Sequence, residues 1–285
     1  MLTYLLLLAP AQIQSQGLTA TLPPQADAFL KARDWAGLAD WFETVAPATR
    51  GAFYELWLQS LNRSQRWERL LAVCEALQTQ MEAKSGPRLA TYRVYRAQAL
   101  SQLGRHAEAA IVNAENGRLG YPDGFPNACA AARIAQDWNA LLAFSNEFLV
   151  KRPGDASGMS WKGEALARLD RLDEAEPLLR AAVAQDPKLP FAWNNLGRCL
   201  NDKKAWAEAC DALDQALRLD PNQLEALFNR GRCLFELKRF KESRDDFRAA
   251  LALQPDNLLL ADNLRQAERY AALPAPKPAP APRKR

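Results

Sequence analysis

Apolar residues recur along much of this chain at spacings of three and four, the mark of amphipathic helices that pack by one face. Tyr54, Trp57, Leu58 and Leu61 form one such stripe, and Leu70, Leu71, Cys74 and Leu77 form the next. Between Ala156 and Asn257 the pattern itself repeats. Pro153, Pro187, Pro221 and Pro255 fall 34 residues apart, and Gly163, Gly197 and Gly231 keep that step, as do Leu166, Leu200 and Leu234 and then Ala182, Ala216 and Ala250. A fixed period with small and large apolar residues at set slots predicts a helix-turn-helix unit stacked on copies of itself. Glycine lets two helices approach, while Leu196, Leu200 and Leu213 fill the volume between them. Proline lacks an amide hydrogen and disfavours helix in the residue before it, so each second helix stops there. Asn222, just past Pro221, is placed to cap the helix that follows.

Before residue 156 the repeat is degenerate, but a second marker keeps its register. Trp35, Trp67, His106, Trp138, Leu172, Trp206 and Phe240 each stand near the start of an expected second helix, at steps of 32, 39, 32, 34, 34 and 34. Seven helix pairs are thus predicted, with extra residues around Lys84-Ser85-Gly86-Pro87 as a loop. The organisation expected is an apolar segment at 1–20, degenerate repeats at 21–155 and three well-matched repeats at 156–257. One unpaired helix at 258–273 closes the last apolar face, as a stacked array requires. A basic Pro/Ala-rich tail at 274–285 is too poor in bulky apolar groups to fold.

The 34-residue step of Gly163, Gly197 and Gly231 and the prolines resembles the tetratricopeptide repeat family. The resemblance covers roughly Pro23 to Leu273 and is specific over the last third. It implies an all-α, right-handed solenoid of antiparallel helix pairs whose first helices line a concave groove for a peptide or helix of a partner protein. By register the groove-facing positions include Tyr95, Gln98, Ser160, Trp161, Glu164, Phe191, Asn194, Asn195, Arg198, Asn201, Phe228, Asn229, Arg232 and Phe235. Asn195 and Asn229 are one repeat apart and could bond an extended backbone. Arg198 and Arg232, likewise equivalent, could hold a carboxylate, and Trp161 and Phe228 would be apolar anchors. The partner-binding set expected is therefore Trp161, Asn194, Asn195, Arg198, Phe228, Asn229 and Arg232. The two-carboxylate clamp that chaperone-binding members use is not reproduced, since only Asn195 falls in register and Glu164 and Glu225 would repel an acidic tail. A second reading is self-association through the aromatic-rich pairs around Trp41, Trp57 and Trp67.

Composition narrows the chemistry. With a net charge of +4 in 285 residues, partly from Arg283-Lys284-Arg285, no nucleic-acid footprint is indicated. One histidine, His106, occupies the slot held by Trp, Leu or Phe in other repeats, so packing suits it better than catalysis. No phosphate-cradling glycine loop occurs, and no catalytic residue, cofactor or small-molecule substrate is expected. Five cysteines without a CxxC pair offer no metal site; Cys199 and Cys233, at equivalent slots, read as small buried hydrophobes. The stretch LTYLLLLAP at 2–10 is shorter than the about 20 apolar residues that span a bilayer. It resembles the apolar part of a secretory signal, which would place the protein outside the cytoplasm; no Lys or Arg precedes it, and a cytoplasmic protein with an apolar first helix is the alternative.

Overall fold

A computed structural model describes residues 22–46, 50, 53–82 and 87–273. The signal-like segment, the residues at 84–86 and the Pro/Ala tail lie outside the described residues. Among those described, fifteen helices and no strand are found. They are α1 (Pro24–Ala32), α2 (Trp35–Thr44), α3 (Tyr54–Arg63), α4 (Trp67–Glu82), α5 (Pro87–Gln102), α6 (His106–Arg118), α7 (Gly124–Ile134), α8 (Trp138–Lys151), α9 (Ala156–Arg168), α10 (Leu172–Gln185), α11 (Pro190–Asp202), α12 (Trp206–Leu219), α13 (Leu224–Glu236), α14 (Phe240–Leu253) and α15 (Leu258–Ala271). The large residue used as a register marker is the first residue of every second helix, including His106. No described helix is long and apolar enough to cross a membrane.

The turn between the helices of a pair has one geometry throughout. Arg33, Gln65, Gly104, Gln136, Asp170, Lys204 and Lys238, each two residues before the marker, have φ between 56° and 75°. In the last complete pairs the amide of Ala205 bonds the Leu200 carbonyl and that of Lys204 the Asn201 carbonyl, and Arg239 and Lys238 repeat this with Leu234 and Phe235. This double closure of a helix end is a Schellman motif, which satisfies carbonyls the helix leaves unpaired.

The chain divides into two compact units, meeting in sequence between Ala135 and Gln136. In the first, α2 is tied to α4 by paired guanidinium-carboxylate contacts. Arg66 donates to both oxygens of Asp40 at 2.5 and 2.9 Å, and Arg69 to those of Glu43 at 2.8 and 2.6 Å. Hydrogen bonding to these arginines holds both carboxyls below their usual range. Tyr92, fully buried on α5, donates its hydroxyl to the Cys74 carbonyl of α4 at 2.8 Å.

The second unit has two layers. Its first helices α9, α11 and α13 pack side by side, each also against its own second helix, α10, α12 or α14. A β-carbon added to Gly163 would lie 2.6 Å from Leu179 Cγ and one on Gly231 2.8 Å from Phe247 Cε1, while at Gly197 it would overlap Leu213 Cγ. The three glycines are thus seats for the buried side chains of Leu179, Leu213 and Phe247, which stand 34 residues apart. α15 packs on α14 and is the last helix among the described residues, joined by Arg248 to Glu268 at 3.0 Å and by edge and tilted contacts among Phe235, Phe240 and Tyr270.

The cap expected from Asn222 is corrected. α13 begins at Leu224 after Gln223, which makes no side-chain cap, and the Asn222 amide instead bonds the Asp220 carboxylate at 3.2 Å. The Oε1 atom of Gln223 is buried with no hydrogen-bond partner. Leu189 holds the same slot one repeat earlier and packs on the core. Gln223→Leu is therefore expected to raise the stability of the chain by about 1 kcal/mol, by removing an unmatched buried acceptor. Urea unfolding followed by circular dichroism checks this, and a midpoint that falls contradicts it.

Candidate functional site

The face built by α9, α11 and α13 carries all seven partner-binding residues expected from the sequence, but it does not treat them alike. Asn194, Asn195, Arg198 and Asn229 are buried, each 4 to 8 % exposed. Asn195 Nδ2 donates to Ser160 Oγ of α9 at 3.1 Å, and Asn229 Nδ2 of α13 donates to Asn194 Oδ1 of α11 at 3.0 Å. Asn201 Nδ2 donates to the Asn229 carbonyl at 2.9 Å, and the Cys233 thiol lies 2.7 Å from Asn201 Oδ1. These groups form a polar ladder from one first helix to the next.

Two sequence expectations change accordingly. Register predicts that the amides of Asn195 and Asn229 meet an incoming backbone, but each commits a donor to a neighbouring helix, because the first helices stand close enough for side chains to bridge them. Register also predicts Arg198 and Arg232 as an equivalent pair for a carboxylate, and they are not equivalent in burial. Arg198 lies under the face, with its guanidinium 3.5 Å from the Glu164 carbonyl, and burial, reinforced by Arg168, pushes its pKa below the usual arginine value. Arg232 is 41 % exposed along its side chain, 3.8 Å from the Asp202 carboxylate and 6.0 Å over the Phe228 ring.

Beside the ladder the face carries partly exposed aromatic rings. Trp161 stacks on Phe191 with ring centres 6.4 Å apart and planes 18° from parallel, and its other neighbour is Phe148 of α8 at 5.9 Å. Trp161, Phe191 and Phe228 are all half-buried. Ser160 and Asn201, which anchor the ladder, are inward-facing by register, but register does not by itself mark them as partners of Asn195 and Asn229. Their spacings of 35 and 28 residues are those expected between adjoining first helices, and this is the signal that could have paired them.

Other candidates have structural surroundings. His106 opens α6 half-buried. All five cysteines are buried and unbridged; burial pushes the thiols of Cys74 and Cys129 up to about 12 and that of Cys199 to about 11. No cluster of metal-ligating side chains occurs among the described residues. Two aromatic residues of the self-association reading have neighbours within the first unit. Trp57 is 7 % exposed beside Phe42, and the Trp41 indole donates to Gln25 at 3.0 Å.

Comparison with known proteins agrees with the repeat. Residues 159–199 match one family profile described as tetratricopeptide repeat, and residues 190–223 and 206–257 match another. No curated protein matches the chain. Among solved structures, a thermophilic TPR protein of Thermus thermophilus is 18% identical, with a TM-score of 0.51, over 62% of this chain and 97% of that one. YrrB, titled a TPR protein with an unusual peptide-binding site, is 18% identical with a TM-score of 0.45 over 67% of this chain and 99% of its own. The first TPR of Spaghetti, solved with an HSP90 peptide, is 24% identical with a TM-score of 0.41 over 42% and 94%. The profile matches show that residues 159–257, which build α9 to α14, are a tetratricopeptide-repeat region of this all-α chain.

Proposed function

We propose that the protein is a non-catalytic interaction scaffold that binds a peptide-like or helical segment of a partner protein on the α9–α11–α13 face. The observation that carries this reading is the half-buried aromatic row, Trp161 stacked on Phe191 with Phe228 further along, set on helices whose register a buried polar ladder fixes. Large rings held in place on a rigid support lose little freedom when a partner covers them, which is why such residues dominate binding energies. The ladder's role is positional. Asn194, Asn195, Arg198 and Asn229 hold the helices at fixed spacing, and Trp161, Phe228 and Arg232 make the contact.

The half-buried members supply the test, because the fully buried ones would unsettle the fold. Trp161→Ala is expected to weaken partner capture by about 30-fold, the effect of about 2 kcal/mol at an interface anchor, with helix content unchanged. Phe228→Ala and Arg232→Ala should act in the same direction and less strongly. Capture from cell extract by the immobilised full chain, with each retained protein quantified, checks this. A set of captured proteins indifferent to all three substitutions rules out this face.

A further inference from the structure

The second unit has an open surface notch between α12 and α13, lined by Asp214, Leu217, Arg218, Pro221, Leu227 and Arg230. None of these residues belongs to the aromatic face. The meaning of the notch comes from comparing it with the preceding repeat. There the slot of Leu227 is held by Trp193, whose ring packs against the core and whose indole Nε1 donates to the Pro187 carbonyl at 2.9 Å.

The loops that present the two carbonyls have the same shape. Asp186 and Asp220 both end their helices in extended conformation, at φ −136°, ψ 94° and φ −140°, ψ 93°. Each also accepts the amide two residues on, Lys188 at 3.0 Å and Asn222 at 3.2 Å. Pro221 therefore offers its carbonyl as Pro187 does, but the chain puts a leucine where the indole would stand. A second change alters the wall of the site, since Arg230 stands in the slot of Leu196 and turns to Asp214 and Asp246 at 2.6 to 2.8 Å.

We propose that this notch receives a tryptophan side chain carried by a partner protein, in the seat that Trp193 fills from within the chain one repeat earlier. The indole would lie against the edges of Leu217 and Leu227, donate its N–H to the Pro221 carbonyl and meet the guanidinium of the exposed Arg218 through its face. All eight tryptophans of the sequence, the last of them Trp206, lie among the described residues, so the residues outside them at 1–21 and 274–285 hold no such ring. The proposal stands apart from the aromatic face, which could bind its own segment whether or not this notch is used.

N-acetyl-L-tryptophanamide is the probe, titrated into the full chain with backbone amide shifts followed by NMR. The expected result is saturable shifts at Leu217, Leu227 and Arg230, with N-acetyl-L-leucinamide causing none of comparable size. Leu227→Trp, which gives the repeat its own indole, is expected to weaken the probe by about tenfold or more, while Trp161→Ala leaves it unchanged. Equal shifts from the leucine probe, or an undiminished response in Leu227→Trp, overturn the proposal. If Leu227→Trp does not fold, the exposed Arg218→Ala decides: a severalfold weaker response supports the site, and an unchanged one overturns it.

Discussion

Gly197→Val is expected to destabilise the second unit by about 3 kcal/mol, at the upper end of what overpacking costs in a filled core. A β-carbon at residue 197 overlaps Leu213 Cγ and lies 2.9 Å from Cδ2, and Leu213 is fully buried with no room to swing aside. Relief must come from separating α11 from α12, which would also strain the ladder that α11 makes with α9 and α13. The effect should reside in the pair rather than in either residue. Leu213→Ala alone opens a cavity and is itself destabilising. Combined with Gly197→Val it should recover much of the loss, because the valine takes part of the space the leucine leaves. Urea unfolding of the four members of this cycle gives the coupling, and additive effects would show that the glycine does not serve as the seat of Leu213.

That pairing is legible in the amino-acid sequence, because Gly163, Gly197 and Gly231 share a period with Leu179, Leu213 and Phe247. Fixed spacing along one chain encodes contacts between helices when each unit meets only its neighbours. The same logic locates the second helices, since Trp35, His106 and Trp206 each prove to be a first helical residue even where the repeat has otherwise decayed. Site chemistry is less legible. Asn195 and Trp161 hold the same slot one repeat apart, yet the first is a buried strut and the second a half-buried ring stacked on Phe191. Arg198 and Arg232 likewise share a slot and differ in burial. Period tells which residues are equivalent along the chain. Whether a polar group is free depends on what the adjoining helix offers it, Ser160 for Asn195 and Asn194 for Asn229, and these partners emerge only when the 35-residue spacing is read as a contact between first helices. The turns show the converse case. Six of the seven left-handed residues between paired helices are not glycine, so the usual sequence mark of that geometry is missing although the geometry recurs.

Arg230→Met is expected to cost about 3 kcal/mol at pH 7, because it leaves a buried carboxylate without its cation. Asp246 is 6 % exposed, and Arg230 reaches both its oxygens at 2.7 and 2.8 Å while also bonding Asp214 at 2.6 Å. Burial raises the Asp246 pKa above its ordinary 3.8, and Arg230 opposes that rise. Removing the arginine therefore raises it further. A carboxyl whose folded pKa exceeds its unfolded value favours folding fully below the unfolded value and loses that contribution as pH climbs through the folded one. The deficit of Arg230→Met relative to wild type should accordingly be small near pH 4 and grow toward neutrality. The previous repeat shows what restores it, since Leu196 and Ala212 occupy the slots of Arg230 and Asp246, 34 residues earlier. Arg230→Leu with Asp246→Ala should recover most of the lost stability and abolish the pH-dependent deficit, as an apolar pair often replaces a buried ion pair without loss. Unfolding midpoints of wild type, single and double variants across pH 4 to 8 test both statements. A deficit independent of pH would mean that Arg230 acts through its packing rather than its charge.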